Sequence, residues 1–270
     1  MVYDLARMAK RTGTKRTEIV LRPIEMTRTL EIELYAIVKI PVDAMAKTCR
    51  DTVLPAYERA ISQLVTDSPD GDIRQALVAA DIEVASVASS VVISARLRQW
   101  MATVVNWHTN KWVAAIKAGV NVDVYPFIDL QANAPYIEAM VQRNAALITS
   151  VSEQVKSDVA EVVWREFQNR TPRRKVGKML QERMDVARSR ANLIAIDQAN
   201  KTAAELTKLR QLEAGIRRFK WSATMDTRTR PEHAALNGKV FAWDKPPSIG
   251  LPGTPIRCRC TGQAVLDLDY

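Results

Sequence analysis

A mainly α protein with a small α+β C-terminal domain and an extended helical N-terminal region is what this sequence predicts, on three observations. Glycine is scarce, 9 in 270 residues, and most of it falls in the last 60 positions. Ahead of Gly215 apolar side chains recur at three- and four-residue steps, the spacing of one helix face. Beyond Gly215 the chain changes to short alternating or aromatic segments separated by Pro246-Pro247 and Pro252-Gly253.

Taken in order, residues 1–23 hold Lys10, Arg11, Lys15 and Arg16 around Thr12-Gly13-Thr14 with little apolar periodicity, and read as a flexible basic arm. Residues 24–170 read as a helical region. Met26, Leu30, Leu34, Ile37 and Val38 mark a first helix ending near Pro41. Val53, Leu54, Tyr57, Ile61 and Leu64 mark a second over Met45 to Val65, bent or restarted at Pro55. Asp67-Ser68-Pro69-Asp70-Gly71 is a turn signal. Asp72 is placed to cap a long helix from Ile73 to Ala118, with a break expected near Val91-Val92-Ile93 and a stop at Gly119. Asn121 to Pro126 is an extended connection, and Pro135 opens a helix reaching Phe167.

Residues 171–270 read as the C-terminal domain. Thr171-Pro172 predicts a short basic helix to about Arg183. Asp185 is expected to cap a separate helix whose apolar face is Leu193, Ile196, Ala199, Ala203, Leu206 and Leu209, closed by Gly215. Strands are expected over Arg217 to Ser222, Lys239 to Trp243 and Thr261 to Leu266.

Net charge is +9, and it is unevenly distributed. From Arg165 to Lys220 there are 15 Lys and Arg against 6 Asp and Glu, so this stretch alone carries the whole excess. Arg165, Arg170, Arg173, Arg174, Lys175 and Lys178 are the candidates for contact with nucleic acid or an acidic partner, against the plainer reading of a solvated basic face. No stretch reaches the roughly 18 consecutive apolar residues of a membrane span, and Met1 to Lys15 lacks the apolar core of a signal peptide, so no membrane partner is expected. Three cysteines, two of them crowded at Cys258 and Cys260, argue against a secreted disulfide framework.

The last quarter carries an ordered string. Trp221-Ser222-Ala223-Thr224-Met225-Asp226-Thr227-Arg228-Thr229-Arg230-Pro231-Glu232-His233 is followed by Leu236-Asn237-Gly238, Trp243-Asp244, Pro246-Pro247 and a closing Cys258-Arg259-Cys260. This string resembles the C-terminal signature of phage Mu F-like minor head proteins. The likeness extends upstream through Arg190 to Gln198 and covers about residues 140–268, whereas the first 130 residues match only in helical character. One departure is that many relatives carry further cysteines near the Asp-Arg string, where this chain has His233. The resemblance implies a minor head protein without catalytic residues or cofactor. It would bind the portal protein at the inner side of the capsid vertex, with major capsid or scaffold protein and packaged double-stranded DNA as further contacts. Its place would be the virion, after assembly in the host cytoplasm. Some relatives carry toxin or transferase modules after this domain, and with the sequence ending at Tyr270 none is expected here.

Without the family, Asp226 before Thr227 suits an Asx turn, Pro231 suits the first position of a short helix to Leu236, and Gly238 suits its end. Arg228, Arg230, Arg257 and Arg259 could converge with Asp226 and Asp244 into a charge network that locks the small domain. His233, Cys258 and Cys260 are three soft ligands, with Asp226 as a conceivable fourth. Against that, structural zinc sites use pairs spaced by two to four residues, and there is one pair here with a single residue between, so buried free thiols are the default reading and no metal is expected. A Cys258–Cys260 disulfide is disfavoured, since alternate strand residues sit ~6.5 Å apart. The competing function is a metal-dependent DNA-processing enzyme or a DNA-binding protein built on the 165–220 stretch and the Asp226, His233, Cys258 and Cys260 cluster. It lacks a second acidic cluster, a phosphate loop and an identifiable recognition helix. His108, between Trp107 and Trp112, reads as core or contact surface.

Overall fold

The computed structural model describes residues 3–62, 70–129, 131 and 133–269. Helices α1 (Leu5–Lys10), α2 (Arg28–Val38), α3 (Ile40–Thr48), α4 (Leu54–Ser62), α5 (Asp70–Val87), α6 (Ser90–Val120), α7 (Ala134–Gln168), α8 (Arg173–Glu213) and α9 (Pro231–Ala234) accompany strands β1 (Glu18–Val20), β2 (Arg218–Ser222), β3 (Val240–Ala242) and β4 (Thr261–Asp267). The four strands form one antiparallel sheet in the order β1-β4-β2-β3. The architecture is mainly α with a small β part, as the apolar periodicity predicts.

The chain divides into two units that interleave along the sequence and do not follow the expected boundaries after residues 23 and 170. One comprises Met1–Glu31, Gln99–Met140 and Ile196–Tyr270, the other Ile32–Arg98 and Val141–Ala195. Long helices run from one set of residues into the other, which composition alone could not reveal.

In the first unit the expected basic arm is folded structure. Asp4 caps α1 by accepting the Arg7 amide at 2.9 Å. Leu5 and Ala9 are fully buried, and β1 pairs Ile19 with Leu266 of β4. The reason is that few but well-spaced apolar residues, Tyr3, Leu5, Ala9, Ile19 and Leu21, join a core with Trp112, Ile116, Ala214, Ile216 and Leu266. Trp112 Nε1 donates to the Tyr3 hydroxyl at 2.9 Å, so the aromatic pair tolerates burial of its polar atoms. His108 is also core, with Nε2 lying 2.9 Å from Thr207 Oγ1.

The second unit packs α3, α4, α5 and the adjoining parts of α7 and α8 around Val42, Met45, Tyr57, Ile73, Val155, Val159, Val176 and Leu180. Pro55 lies just inside α4, preceded by a π-helical turn over Cys49–Val53 that absorbs the change of register. The Tyr57 hydroxyl lies 2.9 and 2.8 Å from the carbonyl oxygens of Glu166 and Thr171, tying the end of α7 to the connection before α8.

Three local expectations need correction. The helix expected from Ile73 starts at Asp70, so Asp72 belongs to its first turn, and the break falls at Ala88-Ser89, ahead of the β-branched cluster. The two helices expected on either side of Asp185 are one 41-residue helix. Asp185 accepts from Gln181 Nε2 at 2.9 Å and from Arg188 Nη1 at 3.2 Å, so its carboxylate is satisfied along the helix face and does not compete for backbone amides. Leu193, expected on the apolar face, is 41% exposed, and Ala191, Ala195 and Ala199 line the buried side. The turn residues Asp67, Ser68 and Pro69, like Leu64 and Val65, lie outside the described residues.

Candidate functional site

The signature string folds into the end of an inner strand, a turn and one helical turn. Trp221 lies fully buried near the end of β2, and its backbone pairs onward with the Lys239 carbonyl and the Gly238 amide, both at 2.8 Å. Gly238 has φ +80°, the left-handed conformation that glycine adopts without steric cost, which explains its place in the string. Asp226 makes the expected Asx turn, its Oδ1 accepting the Arg228 amide at 3.1 Å. Pro231 then opens α9, which carries His233 inward.

Of the expected arginine network, part forms. Arg259 Nη2 donates to both Asp226 oxygens, at 2.7 and 2.6 Å, and Arg228 lies 3.8 Å from the same carboxylate. The Arg259 guanidinium holds the Asp226 carboxyl below the usual carboxylate range. Arg230 turns elsewhere, donating to the Ile256 carbonyl at 2.7 Å with its other nitrogen 3.5 Å from His233 Nε2. Arg257 anchors through its backbone amide on Asp197 at 2.7 Å. Asp244 is exposed and makes no ion pair among the described residues. Asp226 is therefore committed to Arg259 and stays out of the thiol cluster.

His233, Cys258 and Cys260 do meet. His233 Nδ1 lies 3.4 Å from each sulfur, and all three side chains are buried. The cysteines precede β4 in an irregular segment, so strand alternation does not space them, and both sulfurs turn to the histidine. Trp221 stands edge-on to the imidazole with centroids 5.6 Å apart. The Cys260 thiol donates to Cys258, as do the Cys260 and Gly253 amides, which lowers the Cys258 pKa and raises that of Cys260. Cys49, buried in the other unit, is pushed up to about 12 by burial. A cavity of about 150 Å³ of mixed polar and apolar lining, with Met26, Glu31, Asn200, Ala203 and Arg259 in its wall, borders the cluster at Cys260.

A buried polar group ties α8 to this domain, and sequence reasoning missed it. Gln211 donates to the Gly262 carbonyl at 2.7 Å and accepts from Trp243 Nε1 at 3.1 Å. One residue earlier along the helix, Arg210 is 2% exposed and bonds Thr109 at 3.1 Å and Glu213 at 2.8 Å, while Glu213 also accepts from Asn133. The signal was available in principle: Arg210-Gln211 interrupts an otherwise apolar face. Burial of the His108 imidazole, with the Arg210 charge nearby, pushes its pKa down to about 3.

The six basic candidates separate into two groups. Arg165 pairs with Glu161 and Glu166, and Arg173 with Glu58. Arg170, Arg174, Lys175 and Lys178 are exposed and pair with no carboxylate among the described residues. These four are the free positive charges at the start of α8.

The second unit also leaves large apolar side chains in solvent. Val78, Ile82 and Val91 are 54, 65 and 77% exposed. An 18-residue window within Asp70–Val120 is long and apolar enough to cross a membrane by length and composition, at mean hydropathy 1.9, and 22% of it is buried. The run still falls short of the roughly 18 consecutive apolar residues considered above. Asp81 and Glu83 keep the apolar run short of 18 consecutive residues.

A protein of Haemophilus influenzae (strain ATCC 51907 / DSM 11121 / KW20 / Rd), described as uncharacterized, is 33% identical over 148 residues, which is 52% of this chain and 33% of the relative. The chain thus spans about a third of that relative's length. No solved structure matches. Residues 157–263 match the family described as Phage Mu protein F like protein.

Proposed function

We propose that the chain is a phage minor head protein that docks on the portal protein at the inner side of the capsid vertex and contributes to head morphogenesis. The match of residues 157–263 to the phage Mu protein F-like family carries this reading, and it supports a phage head-associated protein. The geometry of the signature is consistent with a structural role. Asp226 is engaged by Arg259, Gly238 supports a hairpin turn, and Trp221 is core, so most of the string maintains shape.

The docking surface we assign to the portal is the exposed apolar face around Val78, Ile82, Val91 and Val92. Apolar patches of this kind on a soluble chain mark protein or membrane contacts. A protein partner is favoured because Asp81 and Glu83 stand exposed on the same helix, and a carboxylate at the centre of a bilayer costs roughly 2.5–3.5 kcal/mol on insertion scales. The free cations Arg170, Arg174, Lys175 and Lys178 would meet packaged DNA or acidic surfaces of the portal and capsid.

The test is co-expression of the full chain with its phage's portal protein, followed by size-exclusion chromatography. A stable complex that Ile82→Asp and Val91→Asp together disrupt supports the reading. Retention of the complex by both variants, or partition of the chain into lipid vesicles in place of portal binding, contradicts it.

A further inference from the structure

We propose that His233, Cys258 and Cys260 form a binding site for one thiophilic divalent cation of the zinc class, with water in the fourth coordination position. The inference goes beyond the head-protein reading and stands or falls apart from it.

The geometry supplies the argument. A tetrahedral centre with metal–sulfur bonds of about 2.3 Å and metal–nitrogen bonds of about 2.0–2.1 Å requires N···S edges of roughly 3.5 Å and an S···S edge of roughly 3.8 Å. His233 Nδ1 lies 3.4 Å from both sulfurs, and the three ligand atoms all fall within 4.8 Å of one another. A single imidazole N–H cannot point well at two sulfurs at once, whereas one cation at their centre satisfies all three.

The surroundings suit a metal. The Gly253 amide lies 3.4 Å from Cys258 Sγ and stabilises a thiolate without competing for the cation. Trp221 covers the imidazole edge-on and excludes bulk water. A neighbouring cavity of about 150 Å³, with Thr224 and Arg259 in its wall, reaches the cluster at Cys260.

Two charges near the site have to be placed. Asp226 is held by Arg259, so it is not the fourth ligand. Arg230 Nη1 lies 3.5 Å from His233 Nε2, and binding through Nδ1 leaves the remaining imidazole proton on Nε2, facing that guanidinium. Arg230 is exposed and already held by the Ile256 carbonyl at 2.7 Å through its other nitrogen, so a small rotation of the guanidinium relieves the opposition without loss of that anchor. Binding therefore releases one proton from each thiol still protonated, and leaves the histidine neutral.

Spacing alone obscured this site, because Cys258 and Cys260 are one residue apart and His233 lies 25 positions earlier. The fold supplies what the pattern lacks, with α9 presenting His233 to the segment before β4.

The experiment uses the full chain, reduced and stripped with a chelator, titrated with cobalt(II) and then zinc. The expected result is one equivalent of cobalt bound, with a thiolate-to-cobalt charge-transfer band and the intense visible bands of a tetrahedral site, both bleached by zinc. Cys49→Ser should keep the full spectrum. Cys258→Ser, Cys260→Ser and His233→Ala should each lower zinc affinity by more than about 10-fold. Should a cluster variant fail to fold, zinc protection of Cys258 and Cys260 from alkylation in the wild-type chain decides the matter. A folded wild-type chain that shows only weak octahedral cobalt bands, or whose two thiols alkylate at the same rate with and without zinc, overturns the proposal.

Discussion

Trp243 donates its indole N–H to the side-chain oxygen of Gln211 at 3.1 Å, in a place where neither group can reach water. The same amide donates to the Gly262 carbonyl on β4, so one residue of α8 satisfies polar atoms from two separate segments of the small domain. Replacing it with an apolar residue leaves a buried donor and a buried acceptor without partners. Gln211→Leu should destabilise the protein by about 1–3 kcal/mol per orphaned group, measured by chemical denaturation. A loss under half a kcal/mol would show that the tie is incidental.

Gly253 should resist substitution for two independent reasons. Its φ is +80°, and a Cβ there would lie 2.6 Å from the Ala204 Cβ on α8. Left-handed strain of about 1–2 kcal/mol adds to overpacking of about 1–3 kcal/mol, so Gly253→Ala should cost roughly 2–5 kcal/mol. Thermal denaturation of the variant beside the wild type measures it.

Much of this domain is readable in the sequence because its signals are local. Pro231 at the start of a helical turn, Asp226 in its Asx turn and Gly215 and Gly238 at positive φ each act within a few residues of themselves. Strand β1 is not readable. It is three residues long, has only Ile19 buried, and pairs with β4 at the far end of the sequence. Asp185 misleads for a related reason, since its neutralisation by Arg188 and Gln181 depends on a helix already formed. The thiol cluster was legible as three residues and illegible as a geometry, because the turn at Gly253 and the orientation of α9 set the distances.

The buried His108 predicts a pH dependence. Its pKa is pushed down to about 3 in the folded protein, against about 6.5 when unfolded. The unfolded chain therefore binds the extra proton between those values. Stability contributed by the neutral ring is complete above pH 6.5 and is lost as pH falls toward 3, by at most about 1.4 kcal/mol per pH unit. The carboxyls of Asp43, Glu166 and Asp226 are lowered, so the stability they contribute is lost as pH falls from the ordinary carboxylate range through their lowered values and bears little on the interval from pH 7 to pH 5. Unfolding free energies at pH 5 and pH 7 should thus differ more in the wild type than in His108→Gln. Equal differences would remove His108 as the source.

In the second unit, Tyr57→Phe should lower stability by about 1–3 kcal/mol, since it removes the one hydroxyl proton that the carbonyls of Glu166 and Thr171 share, the Glu166 carbonyl keeping only the Thr171 amide. The hydroxyl pKa, pushed up to about 12 chiefly by burial, keeps it a donor throughout the accessible range. Denaturant titration with an unchanged slope would attribute the loss to the native state.

If the start of α8 touches DNA, affinity should fall with salt in proportion to the phosphates neutralised. Each of Arg170→Gln, Arg174→Gln, Lys175→Gln and Lys178→Gln should reduce the slope of log affinity against log salt by about 0.9. Binding that is insensitive to salt, or slopes unchanged by the substitutions, would assign these charges to a protein surface or to solvent.

The central claim, that this is a head protein seated at the portal, is tested most directly by locating the chain in purified phage particles by quantitative mass spectrometry and cryo-electron microscopy without imposed symmetry. The account predicts a few copies per particle, with density on the inner side of the portal vertex. Particles that lack the polypeptide, while the infected cell contains it, would contradict the account.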